Sequence, residues 1–276
     1  MDISKLLYRM LILVLVAVLL ISSTFVARYV IDSLEQKKEY DKLAAQVAQS
    51  RTDALLQSQS AQDANSAAAE TPPEDGSTPP TEATEPSILP EYVAAYEENS
   101  DLVGWMVIDG TPINYPVMQT PDQPDYYLYR NFRKEDNAHG CLYVRESCDV
   151  FAPSDNVTIY GHHMKNGSMF TGLDKFRDSK FWKQHQTIVF DTLYEHHSYT
   201  VFAVFTTTAS KGKGFSYHRF EYAADEAEFN EFVATCKALA LYDTGITPQY
   251  GDKLISLSTC EYSQENGRLV VVAVRN

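Results

Sequence analysis

The chain has 276 residues, room for one or two domains, and sets 37 acidic side chains against 23 basic ones for a net charge of −14. That balance argues against nucleic acid as a partner, because it offers no basic groove to track a phosphate backbone. The four cysteines, at 141, 148, 236 and 260, show neither a CxxC pair nor zinc-ligand spacing, although Cys141 and Cys148 lie close enough to bridge a short loop.

Residues 1–9 carry Lys5 and Arg9 ahead of an uncharged stretch, Met10 to Ala27 (MLILVLVAVLLISSTFVA). Its length matches a short membrane-spanning helix, and the preceding positive charges put the N-terminus in the cytoplasm and the remainder outside. An uncleaved anchor is preferred to a cleaved signal peptide: the apolar run exceeds a typical h-region, and no A-x-A site follows. Residues 28–86 read as an extracellular stalk and linker. Its first part, to about Ala69, is rich in Glu, Lys, Gln and Ala and is expected to be partly helical. The rest, ETPPEDGSTPPTEATEP (70–86), cannot bury a core and is expected to be an extended, disordered spacer.

The folded part is expected over 87–276. Ile88, Leu89, Tyr92, Tyr96 and Leu102 recur at helical spacing. Strands are expected at 103–110, 113–118, 141–145, 157–160, 187–191 and 199–206, the first two joined through an Asp-Gly turn. Asp225 to Leu241 reads as a helix capped by Asp225, with Phe229, Phe232, Val233, Cys236, Leu239 and Ala240 on its apolar stripe. Leu254 to Cys260 and Arg268 to Arg275 then form an antiparallel hairpin about a polar loop that ends in Gly267. Many short strands with little helix point to a mainly β fold, a closed or nearly closed β-barrel with a few peripheral helices.

The last hairpin also carries the strongest chemical signal. Side chains alternate along a strand, so Ile255, Leu257 and Thr259 share one face, while Ser256, Ser258 and Cys260 share the other. Arg268 opens the returning strand, which brings a thiol and a permanent cation together. A cysteine so placed is either a nucleophile, activated by a cation and a base, or a buried core residue. A base is available at Gly161-His162-His163, where a strand breaks and presents two histidines. Surface histidine is the bland alternative, and no role is assigned to the His196-His197 pair. No metal site or cofactor is expected.

Together, Ile-Tyr-Gly-His162, Leu-Ser-Thr-Cys260 and Arg268 ahead of an apolar strand resemble the signature of the sortases, membrane-anchored cysteine transpeptidases of Gram-positive bacteria. The segments 103–119, 126–132, 161–176 and 241–245 resemble class B in particular. The resemblance spans about Ser87 to Asn276. It implies Cys260 as nucleophile, His162 as the catalytic histidine with His163 in the next, variable position, and Arg268 as the group that orients substrate and stabilises the oxyanion. Glu261 enters as an oxyanion donor through its backbone N–H, its carboxylate read as solvated, and Thr259 as a backbone contact to substrate. The implied reaction cleaves a C-terminal sorting signal like Asn-Pro-x-Thr-Asn or Asn-Pro-x-Thr-Gly after Thr. The acyl group then passes to an amine of a lipid II-like peptidoglycan precursor. The implied partners are surface proteins bearing such signals, and the implied location is the cell membrane, with the catalytic domain extracellular. Three other readings stand beside it. One is a pilin-polymerising sortase with a pilin Lys as acceptor, disfavoured because no Asp-Pro-aromatic lid is present. Another is an inactive extracellular binding module. The third is a cysteine endopeptidase, with water as the final acceptor.

Overall fold

The computed structural model describes residues 3–67, 87–210 and 212–276. The spacer expected at 70–86 lies outside the described residues. The chain divides into two compact units, Met1–Asp41 and Lys42–Asn276. A long helix, α1 (Ile3–Ala67), supplies the first unit and begins the second. In the first unit the side chains from Met10 to Phe25 stay exposed, and this helix is long and apolar enough to cross a membrane.

The second unit is built on a closed barrel of eight strands: β1 (Leu102–Val107), β2 (Asn114–Met118), β3 (Leu142–Val144), β4 (Asn156–Tyr160), β5 (Thr187–Thr192), β6 (Ser198–Thr208), β7 (Leu254–Glu261) and β8 (Gly267–Arg275). Around the barrel the order is β1-β2-β3-β4-β7-β8-β6-β5, closing back on β1. Closure leaves no strand edge open, so each strand finds its backbone partners on both sides. Most neighbours are antiparallel, but β2–β3 and β4–β7 run parallel. The expected Asp-Gly turn joins β1 to β2, with Gly110 at a φ of +73° that favours glycine.

Alternation along the β7–β8 hairpin divides its side chains between two buried faces. Ser258 pairs with Val270, Ser256 with Val272 and Leu254 with Val274 on one face, while Thr259, Leu257 and Ile255 pair with Leu269, Val271 and Ala273 on the other. The first set is the outer face. It is covered by α4 (Glu226–Leu239) and the segment before it, through Phe229, Phe232, Val233 and Cys236 together with Tyr217 and Phe220. Phe220 stacks on Phe232 with ring centroids 4.1 Å apart. The start of α4 is fixed by Asp225, whose side chain accepts from the Glu228 N–H at 3.0 Å. Glu228 reaches back to the Ala224 N–H at 2.8 Å, a reciprocal arrangement like a capping box.

Further short helical pieces belong to the unit. α2 (Pro90–Glu98) starts on a proline, which is suited to the first helical turn. A 3-10 segment, Phe170–Arg177, leads into α3 (Ser179–Gln184), and neither was expected from periodicity. All four cysteines are thiols, so Cys141 and Cys148 do not form the bridge their spacing allowed. Burial pushes Cys148 up to about 11. Cys236 lies fully buried under the barrel wall, as its place on the apolar stripe predicts.

Candidate active site

The site forms where the covered outer face of β7 and β8 runs out. Ser256 and Ser258, expected on a polar face, are buried and satisfied: Ser256 Oγ donates to Asn156 Oδ1 at 2.8 Å, and Ser258 Oγ shares a 2.5 Å hydrogen bond with the Tyr217 hydroxyl. One step further along, Cys260 emerges half-buried, directly opposite Arg268 in the antiparallel register. The thiol and the guanidinium therefore share a face at one end of the barrel. In this structure Arg268 Nη1 donates to the carbonyls of Gly267 at 2.9 Å and Asn266 at 3.3 Å.

The parallel partner strand brings the histidine. Tyr160 pairs with Ser258, and the Gly161 N–H donates to the Ser258 carbonyl at 3.1 Å. His162 and Cys260 thus lie equally far, two residues, beyond one paired position on neighbouring parallel strands. Gly161 is required by a close approach: a Cβ there would sit 2.5 Å from Leu142 Cδ2 and 2.7 Å from the Phe170 ring. The imidazole of His162 is held by two groups that the sequence did not single out. Its Nε2 lies 2.7 Å from the Leu128 carbonyl, and the Tyr129 ring lies 5.4 Å away. A carbonyl only accepts, so Nε2 carries a proton and Nδ1 is left for chemistry.

His163 is engaged elsewhere, with Nε2 2.5 Å from Asp174 and its ring edge-on to Tyr262. Thr259 turns its side chain away from Cys260 to the opposite buried face, where its Oγ1 has no hydrogen-bond partner. Any contact it makes to substrate must come from its backbone. Glu261 corrects the expectation of a solvated carboxylate. It ends β7 nearly buried, accepts from the Ser263 N–H at 2.9 Å and the Ser263 hydroxyl at 2.8 Å, and pairs with Arg177. The loop after it folds back and covers it, which residue type alone does not reveal.

The walls beside the pair are aromatic. Burial raises the Tyr217 phenol above its ordinary pKa, with Cys260 adding to the shift and Ser258 and Arg268 opposing it. Burial likewise lowers His218, and the neighbouring Arg145, Arg219 and Arg268 push it the same way. Among the described residues no group of three or more His, Cys, Asp or Glu is arranged to hold a metal ion.

The Sortase domain model matches residues 106–276. The chain belongs to the sortase family. Sortase B of Listeria monocytogenes is 33% identical over 175 residues, covering 63% of this chain and 69% of that protein. Sortase B of Staphylococcus aureus is 29% identical over 188 residues, covering 67% and 75%. Among solved structures, sortase B from Bacillus anthracis in complex with AAEK1 superposes with a TM-score of 0.65 at 31% identity, covering 89% of this chain and 98% of that one. A Staphylococcus aureus sortase B–substrate complex shares the fold with a TM-score of 0.70 at 23% identity, over 89% and 98%. These relatives make the chain a class B sortase, and the barrel is the sortase barrel with Cys260, Arg268 and His162 at one of its ends.

Proposed function

We propose that this sortase cleaves a C-terminal sorting signal like Asn-Pro-x-Thr-Asn or Asn-Pro-x-Thr-Gly after Thr and transfers the acyl group to an amine of a peptidoglycan precursor. The observation that carries this reading is the register: Cys260 faces Arg268 across one ladder, and His162 and Cys260 each lie two residues beyond the last paired position, Tyr160 with Ser258, of the next. The thiolate of Cys260 attacks the Thr carbonyl, and negative charge develops on its oxygen. Arg268 and the backbone N–H of Glu261 are the donors for that oxygen, and donors set in place beforehand often supply the largest catalytic contribution. Arg268 must exchange its bonds to the Gly267 and Asn266 carbonyls for the substrate, so the loop contacts hold it in reserve. With Nε2 fixed on Leu128, His162 works through Nδ1. Nδ1 takes the Cys260 thiol proton as the thiolate forms and gives it to the departing amine as the thioester forms; it then takes a proton from the incoming amine as the thioester is resolved and returns it to the Cys260 sulfur.

The same reading places the protein in the membrane through residues 10–27, with an inward N-terminus and the catalytic unit outside. Lys5 and Arg9, just ahead of that segment, are the charges that support it.

The test uses the full chain in detergent micelles with Asn-Pro-x-Thr-Asn and Asn-Pro-x-Thr-Gly peptides, with and without amine acceptors, followed by mass spectrometry. An acyl adduct on Cys260 that passes to a particular amine supports the reading and names the acceptor. A folded protein with an alkylatable Cys260 that never acquires an acyl group would overturn it.

A further inference from the structure

The segments that follow the two reactive side chains are tied together by a chain of charged groups that the mechanism above does not use. After Cys260, the Glu261 carboxylate lies nearly buried, with its side chain 7% exposed. After His162, His163 Nε2 lies 2.5 Å from Asp174 Oδ2, and Arg177 Nε donates to Asp174 Oδ1 at 3.1 Å. Arg177 Nη2 closes the connection at 3.3 Å from Glu261 Oε1. A second link runs beside it: the Tyr262 ring stands nearly perpendicular to the His163 ring with centroids 5.4 Å apart, and Tyr262 donates its hydroxyl to the His163 carbonyl at 3.3 Å. Both links join residues 163–177 to residues 261–262.

We infer that Arg177, held between Asp174 and Glu261, is a positioning residue that sets the Cys260–Glu261 peptide relative to His162. The inference rests on the assignment of Cys260 and His162 given above. The β4 and β7 strands hold their register only as far as Tyr160 and Ser258, the last paired positions. Beyond them the backbone at 162 and 260 is free of ladder constraint between the two strands, save for the Gly161 N–H on Ser258. The β8 strand holds Cys260 and Glu261 opposite Arg268 and Gly267, and the Asp174–Arg177–Glu261 connection, beside the Tyr262 link, sets that strand end against the His162 segment. It acts on the peptide whose N–H is offered to the oxyanion and on the strand end that aims the thiol. Misplacement of such groups by about 1 Å costs on the order of a hundredfold in rate.

A double-mutant cycle on the full chain in micelles tests this, with kcat and KM for a sorting peptide and the thermal midpoint measured for each variant. Arg177→Met and Glu261→Gln are each expected to lower kcat by roughly tenfold to a hundredfold with KM changed by less than about twofold, the pattern of lost transition-state geometry. The double variant is expected to be no slower than the worse single one, and Arg177→Lys to recover part of the loss. Rates are compared at a temperature where every variant is folded. Glu261→Gln keeps the shape of the side chain and an amide oxygen to accept from the Ser263 N–H, so it carries the test should Arg177→Met fail to fold. Unchanged kcat in a folded single variant, or losses that simply add in the double, overturns the positioning role. Cys260→Ala runs alongside. Turnover that survives it sinks the nucleophile assignment and the inference with it. Turnover lost there but intact in both single variants sinks the inference alone.

Discussion

Replacing Cys260 with Ala removes one sulfur from a half-exposed strand end. Turnover is therefore expected to fall to background while the thermal midpoint stays near that of the parent, which peptide assays and a melting curve check together. Arg268→Met is expected to lower kcat by about 10²–10³-fold, the usual consequence of losing one oxyanion donor, as steady-state kinetics would show. Arg268→Lys should recover little of this, because an ammonium lacks the planar fork. The strand ends bearing Cys260 and Arg268 and the Gly-His break were legible, because short sequence patterns mark them. The hold on His162 was not. Leu128 and Tyr129 belong to a 3-10 turn more than thirty residues upstream, and no local pattern announces that its carbonyl will meet an imidazole. Glu261 was misjudged for the same kind of reason, since only the fold-back of the loop explains its burial.

The elements tell a similar story in coarser form. All eight strands, α2 and α4 lie where alternation, helical spacing and turn residues put them. The two parallel pairings were not readable: β2 and β3 are consecutive but joined by a long crossover, and β4 meets β7 only through the closure of the whole sheet. The 3-10 segment and α3 escaped because eight and six residues are too few to establish a helical period. At this scale Gly161→Ala is the informative change. The new methyl has to displace Leu142 and Phe170, so a loss of about 1–3 kcal/mol is expected from overpacking, together with a larger drop in activity than in stability as His162 shifts. Denaturant unfolding and peptide turnover measure the two halves of that statement. Asp225→Ala is expected to cost about 1 kcal/mol through loss of the cap on α4, with turnover nearly unchanged.

For the molecule as a whole, the unit that holds the barrel begins at Lys42 and so includes part of α1. Arg51 on that helix donates to Glu91 at 2.9 Å, to the Tyr92 hydroxyl at 2.9 Å and to Asp191 at 2.7 Å, while His196 Nδ1 lies 2.9 Å from Asp191. Burial by itself raises the Asp191 pKa, but hydrogen bonds from Tyr92, His196 and Arg51 outweigh it and hold the carboxyl below its ordinary value. A depressed carboxyl contributes stability above its unfolded pKa of about 4, and that contribution is lost as the pH falls through the lower folded value. Arg51→Met is accordingly expected to cost about 1–3 kcal/mol at neutral pH, with the gap to the parent narrowing below about pH 4. A protein that begins at Ser87 should show the same deficit, and urea unfolding across pH tests both.

The parallel pairing of β4 with β7 has a kinetic consequence. Asn156 meets Leu254 across nearly a hundred residues of intervening chain, and a contact so distant costs more closure entropy than any hairpin in the molecule. During refolding the β7–β8 hairpin can form early from local contacts, bringing Cys260 beside Arg268 while His162 is still elsewhere. The thiol should then become alkylatable in its native surroundings before the protein can transfer an acyl group. Competence should arrive with the slowest folding phase, as the last seam of the cylinder zips shut.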